Sequence, residues 1–249
     1  MILKGETEMF RTSRFFIVAF TLVLLVSWFG LSAVSAKESA DDERERAQNA
    51  ASVMSEIMQI PEGGVPNELM AHAEAIAVIP HVVKGAFGLG GEYGKGLVSH
   101  RMDNGRWSAP SFIKIGGGSF GLQLGVQATD LVLVFTNRDG FKGLLDGKVK
   151  LGVDAAVAAG PVGRDASAST DVLLKSPVLA YSRSKGLFAG ISLDGAVVTI
   201  DDSANKKTYG KEVSAEDILY HSKVAVNDVV APFVRTLEKY SPARKRVTE

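Results

Sequence analysis

Between Ile115 and Asn137 the chain reads IGGGSFGLQLGVQATDLVLVFTN, and few folds can hold such a run. Phe120, Leu122, Leu124 and Val126 alternate with Gly121, Gln123, Gly125 and Gln127. That period of two puts the apolar set on one face of a β-strand and leaves the other face nearly bare. Glycine inside a strand lowers its stability, so two on one face mark a bend, a bulge or a close approach by another backbone or a ligand. After Ala128-Thr129-Asp130, Leu131 to Phe135 is apolar on both faces, which predicts a strand covered on both sides. A half-empty strand beside a fully covered one predicts the centre of a curved sheet.

Further alternation extends that sheet. Ala75 to Ile79 is a buried strand stopped by Pro80. Lys84 to Gly96 is a second glycine-dense stretch; it contains G-x-G without the full dinucleotide fingerprint and without a following helix, so a nucleotide site is rejected. Leu97–Met102 and Arg106–Phe112 flank Asp103-Asn104-Gly105, a hairpin signal that sets Met102 opposite Trp107. Pro110 places the second of these strands at an edge or a bulge. Asp139 to Gly147 reads as a loop or one helical turn, and Lys148 to Gly160 as one long alternating strand. Val178–Tyr181, Leu187–Leu193 and Ala196–Ile200 supply three more.

Helices are expected at both ends. Ser39-Ala40-Asp41-Asp42 has the spacing of an N-cap with an acidic partner. Behind it Ala47, Ala50, Ala51, Met54, Ile57 and Met58 form a stripe opposite Glu43, Arg44, Gln48, Ser52 and Glu56. An interfacial membrane helix prefers lysine and arginine on its polar face, so a helix packed on its own domain is the better reading. Pro61-Glu62-Gly63-Gly64 ends it, and Pro66 starts a short helix from Asn67 to Ala73. Near the C-terminus Val226, Val229, Val230, Phe233 and Leu237 form a last stripe, with Pro232 as a kink. The expected fold is α+β: a single domain with a mostly antiparallel, strongly curved sheet or partial barrel flanked by N- and C-terminal helices.

Arg11 and Arg14 precede an apolar run from Phe15 to Phe29, followed by small residues as far as Ala36, which is the pattern of a secretory signal peptide cleaved near Ala36. An uncleaved anchor is the rival, since Phe15 to Val34 could span a bilayer. Cleavage would remove Lys4, Arg11 and Arg14 together with Glu6 and Glu8, leaving an essentially neutral chain that is periplasmic or secreted. The expected divisions are a signal peptide (1–36), an amphipathic helix (37–60), the α+β domain (61–240) and a basic tail (241–249) ending in Arg244-Lys245-Arg246. With 28 basic and 28 acidic residues no global field attracts nucleic acid, and the absence of cysteine removes disulfides, thiolate metal sites and a cysteine nucleophile.

Catalytic signals are sparse. Gly117-Gly118-Ser119-Phe120-Gly121 matches a nucleophile elbow, but a helix should follow the serine and here a strand does. Asp217 and His221 are one turn apart, a spacing that assigns them to no relay. A serine esterase-like hydrolase using Ser119 stays as an alternative, and an envelope protein-binding scaffold as another. His72, His81, His100 and His221 share no metal-ligand spacing, so no metal and no cofactor is expected. Asp154 is expected to pair with a backbone amide or an arginine. Lys84, Arg101, Arg106, Lys114, Arg164, Arg183 and Lys185 fall near strand ends, where they could grasp phosphate headgroups.

Gly105-Arg106-Trp107-Ser108-Ala109-Pro110-Ser111-Phe112 and Gly121-Leu122-Gln123-Leu124-Gly125-Val126-Gln127-Ala128-Thr129-Asp130 resemble motifs of the SYLF family of lipid-binding domains. So do Leu151-Gly152-Val153-Asp154-Ala155, Ala158-Ala159-Gly160-Pro161-Val162-Gly163-Arg164 and Tyr181-Ser182-Arg183-Ser184-Lys185-Gly186-Leu187-Phe188-Ala189-Gly190. They stand in family order over roughly Pro66 to Tyr240. The resemblance implies binding of anionic lipid, phosphoinositides in eukaryotic members and actin in fungal ones, with no catalysis. Eukaryotic members reach the membrane with an N-terminal amphipathic helix and basic residues; the nearest counterparts here are the helices at 41–58 and 67–73. The chain shows no SH3 or FYVE module, so it resembles an exported, stand-alone bacterial member, for which phosphoinositides and actin are not the expected partners. Anionic lipid or a membrane surface is.

Overall fold

The computed structural model describes residues 41–60, 64–87, 89–119, 125–163, 176–184, 187–191, 193–210 and 212–242. The proposed signal segment, Phe120 to Leu124 of the glycine-laced run and residues 243–249 of the basic tail lie outside them. Residues Met1–Asp42 group as one unit, of which Asp41 and Asp42 are described as helix; Glu43–Glu249 form the other.

Among the described residues nine strands form one sheet: β1 (Ala75–Phe87), β2 (Leu89–His100), β3 (Ser111–Ser119), β4 (Gly125–Phe135), β5 (Lys148–Lys150), β6 (Val157–Ala159), β7 (Val178–Ser184), β8 (Leu187–Gly190) and β9 (Val197–Ile200). The order is β5-β9-β3-β2-β1-β4-β7-β6, with β8 also on β7. Every named pairing is antiparallel except β6 with β7. The described helices are α1 (residues 41–58), α2 (Asn67–His72), α3 (Arg138–Leu145), α4 (Asp202–Tyr209), α5 (Ala215–Leu219) and α6 (Ala231–Tyr240).

The sheet is curled into a half-barrel. Val149 and Val198 at one end of the strand order share a core cluster with Val178 and Ala180 at the other, together with Phe141 and Leu144 of α3 and Ile218 and Leu219 of α5. Strands so far apart in order meet only if the sheet bends around those residues, so α3 and α5 fill the hollow. On the outer face α1, α2 and α6 cover a second cluster. Its centre is a row paired across five strands, Phe112–Leu97–Val78–Val132–Tyr181. Met54 and Ile57 of α1 are fully buried in that cluster and contribute about 1.5–3 kcal/mol each.

Leu131 to Phe135 is fully buried, as a strand apolar on both faces must be. Several local expectations change. β1 does not stop at Pro80 but passes through it with a register shift: proline has no N–H for the ladder, His81 takes φ 51°, and the His81 N–H turns to the Asp130 carboxylate at 3.0 Å. Opposite that bulge stands Gly96, where a Cβ would lie 2.2 Å from the Val78 carbonyl oxygen. The Asn-Gly turn is a three-residue loop, so Arg101 rather than Met102 bridges Trp107. Pro110 precedes the ladder, leaving β3 interior between β2 and β9. Lys148–Gly160 is broken by a turn at Gly152 (φ 80°), where the Asp154 carboxylate accepts the Lys150 N–H at 2.7 Å. Residues 138–145 form two helical turns, and Pro232 sits in the first turn of α6, where its missing N–H costs nothing, rather than at a kink.

Candidate functional site

Directly paired strand residues point to the same side of a sheet, so the register alone builds the outer surface beside α1. Lys148 pairs with Thr199, Thr199 with Lys114 and Lys114 with Lys95, giving a row with three lysines across β5, β9, β3 and β2. The next row on that face runs Lys150–Val197–Gly116–Tyr93–Val83–Ala128. Lys95, Lys148 and Lys150 are exposed, and no ion pair joins them to a carboxylate among the described residues. Like charges directly opposite each other destabilise a strand pair, so Lys95 facing Lys114 is a cost to the fold that a bound anion would offset.

Lys114 is partly answered from within. Its Nζ lies 2.9 Å from Asp201, whose other oxygen receives Arg46 of α1 at 3.1 Å, while the Arg46 guanidinium lies over the Phe112 ring at 5.2 Å. Asp201 is also the N-cap of α4, accepting the Ala204 N–H. Two cations on one carboxylate leave the group net positive. Burial works to raise the Asp201 pKa, but the hydrogen bonds from Lys114 and Arg46 outweigh it and hold the carboxyl below its ordinary 3.8. A folded value below the unfolded one contributes stability that is complete above about pH 4 and is lost as pH falls through the folded value. The protection of the α1 amides against hydrogen exchange, taken relative to their intrinsic rates at each pH, is therefore expected to fall only below about pH 4, and Asp201→Asn to abolish that acid step.

The other sequence-predicted cations are dispersed. Lys84 points to the hollow side of the ribbon and pairs with Glu92 at 2.9 Å. Arg183 lies at the far flank of α1, bonded to Asp130 at 2.8 Å and to Glu56. Arg101 belongs to the opposite end of the sheet: it donates to the carbonyls of Met70, Ala73, Gly105, Ser241 and Pro242 and stacks on Trp107. Arg106 is exposed in the adjoining hairpin. Arg164 and Lys185 lie outside the described residues. Of the five that are described, only Lys114 lies in the lysine rows; Lys95, Lys148 and Lys150 were missed. The signal was present in the alternation Lys148-Val149-Lys150 and in Lys95 between two glycines.

The backbone register places position 119 far from His221. Ser119 pairs with Gly90 at one end of β2, whereas Ser222, next to His221, bonds Met102 just past the other end. The 12-residue strand between them is roughly 40 Å long. His221 instead faces Glu216, and Asp217 faces Lys223. Among the described residues no group of histidines and carboxylates could hold a metal ion. The groove beside α4, lined by Asp202, Ser203, Lys206, Glu212, Val213 and Ser214, is bridged by the Lys206–Glu212 pair at 2.5 Å.

Residues 116–240 match the family profile described as "Ysc84: Las17-binding protein actin regulator". LAS seventeen-binding protein 3 of Saccharomyces cerevisiae is 36% identical over 177 residues, covering 70% of this chain and 38% of the yeast protein. SH3 domain-containing YSC84-like protein 1 of Bos taurus is 33% identical over 183 residues, covering 71% of this chain and 53% of the bovine one. The similarity thus spans about half of the bovine relative's length and less of the yeast relative's.

Proposed function

This chain belongs to the Ysc84 (SYLF) family, and on that premise we propose that it is a non-catalytic module that docks on anionic lipid headgroups at a membrane surface of the cell envelope. The observation that carries the reading is the pair of outer rows holding Lys95, Lys114, Lys148 and Lys150. Lysine ammonium groups act as point charges toward phosphate, and each one near an anionic surface is worth about 1 kcal/mol. The hollow of the sheet is packed by the protein's own α3 and α5, so recognition belongs to the exposed face rather than to an internal cradle for an acyl chain. Export to the periplasm or beyond is part of the proposal and follows from the N-terminal pattern.

Flotation tests it. Recovery with vesicles containing phosphatidylglycerol is expected to exceed recovery with pure phosphatidylcholine and to fall as salt rises, because exposed charges are screened over about 10 Å at 0.1 M. Equal, salt-insensitive recovery would defeat headgroup recognition.

The description of the matching family as an actin regulator favours a second reading, in which the module binds a protein. Co-sedimentation with filamentous actin without lipid, and with no preference among vesicles, selects it; capture of an envelope protein in its place selects the scaffold form of the same reading.

A further inference from the structure

Two large apolar side chains stand in the open on the lysine-bordered face. Val83 is 46% exposed and Tyr93 is 51% exposed, although both lie within the ladder of a nine-stranded sheet. They are direct cross-strand partners, so their side chains lie together on one side. Tyr93 pairs on its other flank with Gly116, and Val83 with the exposed Ala128. One row further out, Gly85 pairs with Gly91, and a Cβ at Gly85 would meet nothing within 4 Å. Small residues on three sides thus leave the pair proud of the surface, with nothing to shade it. One row nearer α1 are Lys95 and Lys114, and Lys150 lies on the same row as the pair.

We propose that Val83 and Tyr93 form an apolar wedge that enters the headgroup layer of an anionic bilayer while Lys95, Lys148 and Lys150 hold the phosphates around it. This rests on the lipid-surface reading and adds the site, the orientation and a second energetic term. Charge complementarity selects the occupant. Among the described residues the carboxylates ion-paired on this face, Asp201, Asp130 and Glu56, are matched by Arg46, Lys114 and Arg183, so Lys95, Lys148 and Lys150 leave the charge around the wedge positive. Tyrosine suits an interface, since its ring partitions to the apolar side while its hydroxyl stays wet. The glycine-dense rows keep the backbone near the bilayer plane by removing side chains that would hold it off.

The absence of cysteine from the chain allows a clean probe. Val83→Cys, Tyr93→Cys and Leu187→Cys are each labelled with an environment-sensitive nitrobenzoxadiazole dye in the full chain. Leu187, 78% exposed on β8, serves as an apolar control away from the lysine rows. With equimolar phosphatidylcholine and phosphatidylglycerol vesicles, the dyes at 83 and 93 are expected to brighten and shift to the blue while the dye at 187 stays as in water. Val83→Ser with Tyr93→Ser is expected to weaken binding about tenfold while leaving its salt dependence unchanged. If the chain binds these vesicles selectively but the dyes at 83 and 93 remain in water, the wedge is wrong and the lipid reading stands. If all three dyes respond alike, the wedge is also wrong. If no preference for anionic vesicles exists, both fall together.

Discussion

Gly96→Ala is expected to destabilise the protein by about 3 kcal/mol, a drop of roughly 6–12 °C in Tm, while Gly85→Ala should change stability by no more than about 0.5 kcal/mol. Both are strand glycines, and propensity alone would treat them alike. Geometry separates them. A Cβ at Gly96 would sit 2.2 Å from the Val78 carbonyl oxygen and 2.8 Å from the Ile79 Cα, both backbone atoms that no rotamer change can move. Those atoms lean inward because β1 bulges at Pro80-His81 and so brings Ile79 and Val82 into the inner cluster. At Gly85 the space is open. Thermal or urea unfolding of the two variants side by side checks whether close approach at Gly96 is what permits the curl. Equal losses would mean that strand propensity, not the bulge, sets the demand.

Arg101→Ala is expected to cost about 3 kcal/mol and to leave vesicle binding by the folded fraction unchanged. Its guanidinium donates to Met70 and Ala73 at the end of α2, to Gly105 in the hairpin and to Ser241 and Pro242 after α6. Trp107, on whose ring it stacks at 4.4 Å, adds its own hydrogen bond to the Ser241 carbonyl. One planar fork therefore ties three segments together, and truncation strands their carbonyls. Arg101→Lys should recover less than half of the loss, because an ammonium cannot reproduce the fork. Denaturant melts paired with flotation decide it: intact stability with lost binding would return Arg101 to the headgroup site.

Much of the fold could be read from the residues because period-two alternation is a direct consequence of strand geometry. Leu131 to Phe135, the strands near 178–181 and 197–200, and the stripe of α1 emerged that way. What failed was punctuation. Pro80 looked terminal because its cost is local, but the Asp130 carboxylate on a neighbouring strand receives the displaced His81 amide, and no local pattern reveals such a partner. α4 was missed although Asp201 as N-cap and Gly210 at φ 71° bracket it, because its apolar stripe is thin. The site was harder still. Charge near strand ends selected Arg101 and Arg183, which long-range carbonyl and carboxylate partners recruit into the scaffold. Lys95, Lys148 and Lys150 gain their meaning only from a register that joins β2, β3, β9 and β5.

The most direct test is flotation of Lys95→Glu/Lys148→Glu/Lys150→Glu against a Lys142→Glu/Lys239→Glu control on phosphatidylglycerol vesicles at low salt. Removing three surface cations at about 1 kcal/mol each predicts a loss of affinity of at least about a hundredfold for the triple variant and little change for the control. A triple variant that floats as well as the unaltered chain would contradict the account, because the outward rows of the sheet would then not be what meets the membrane.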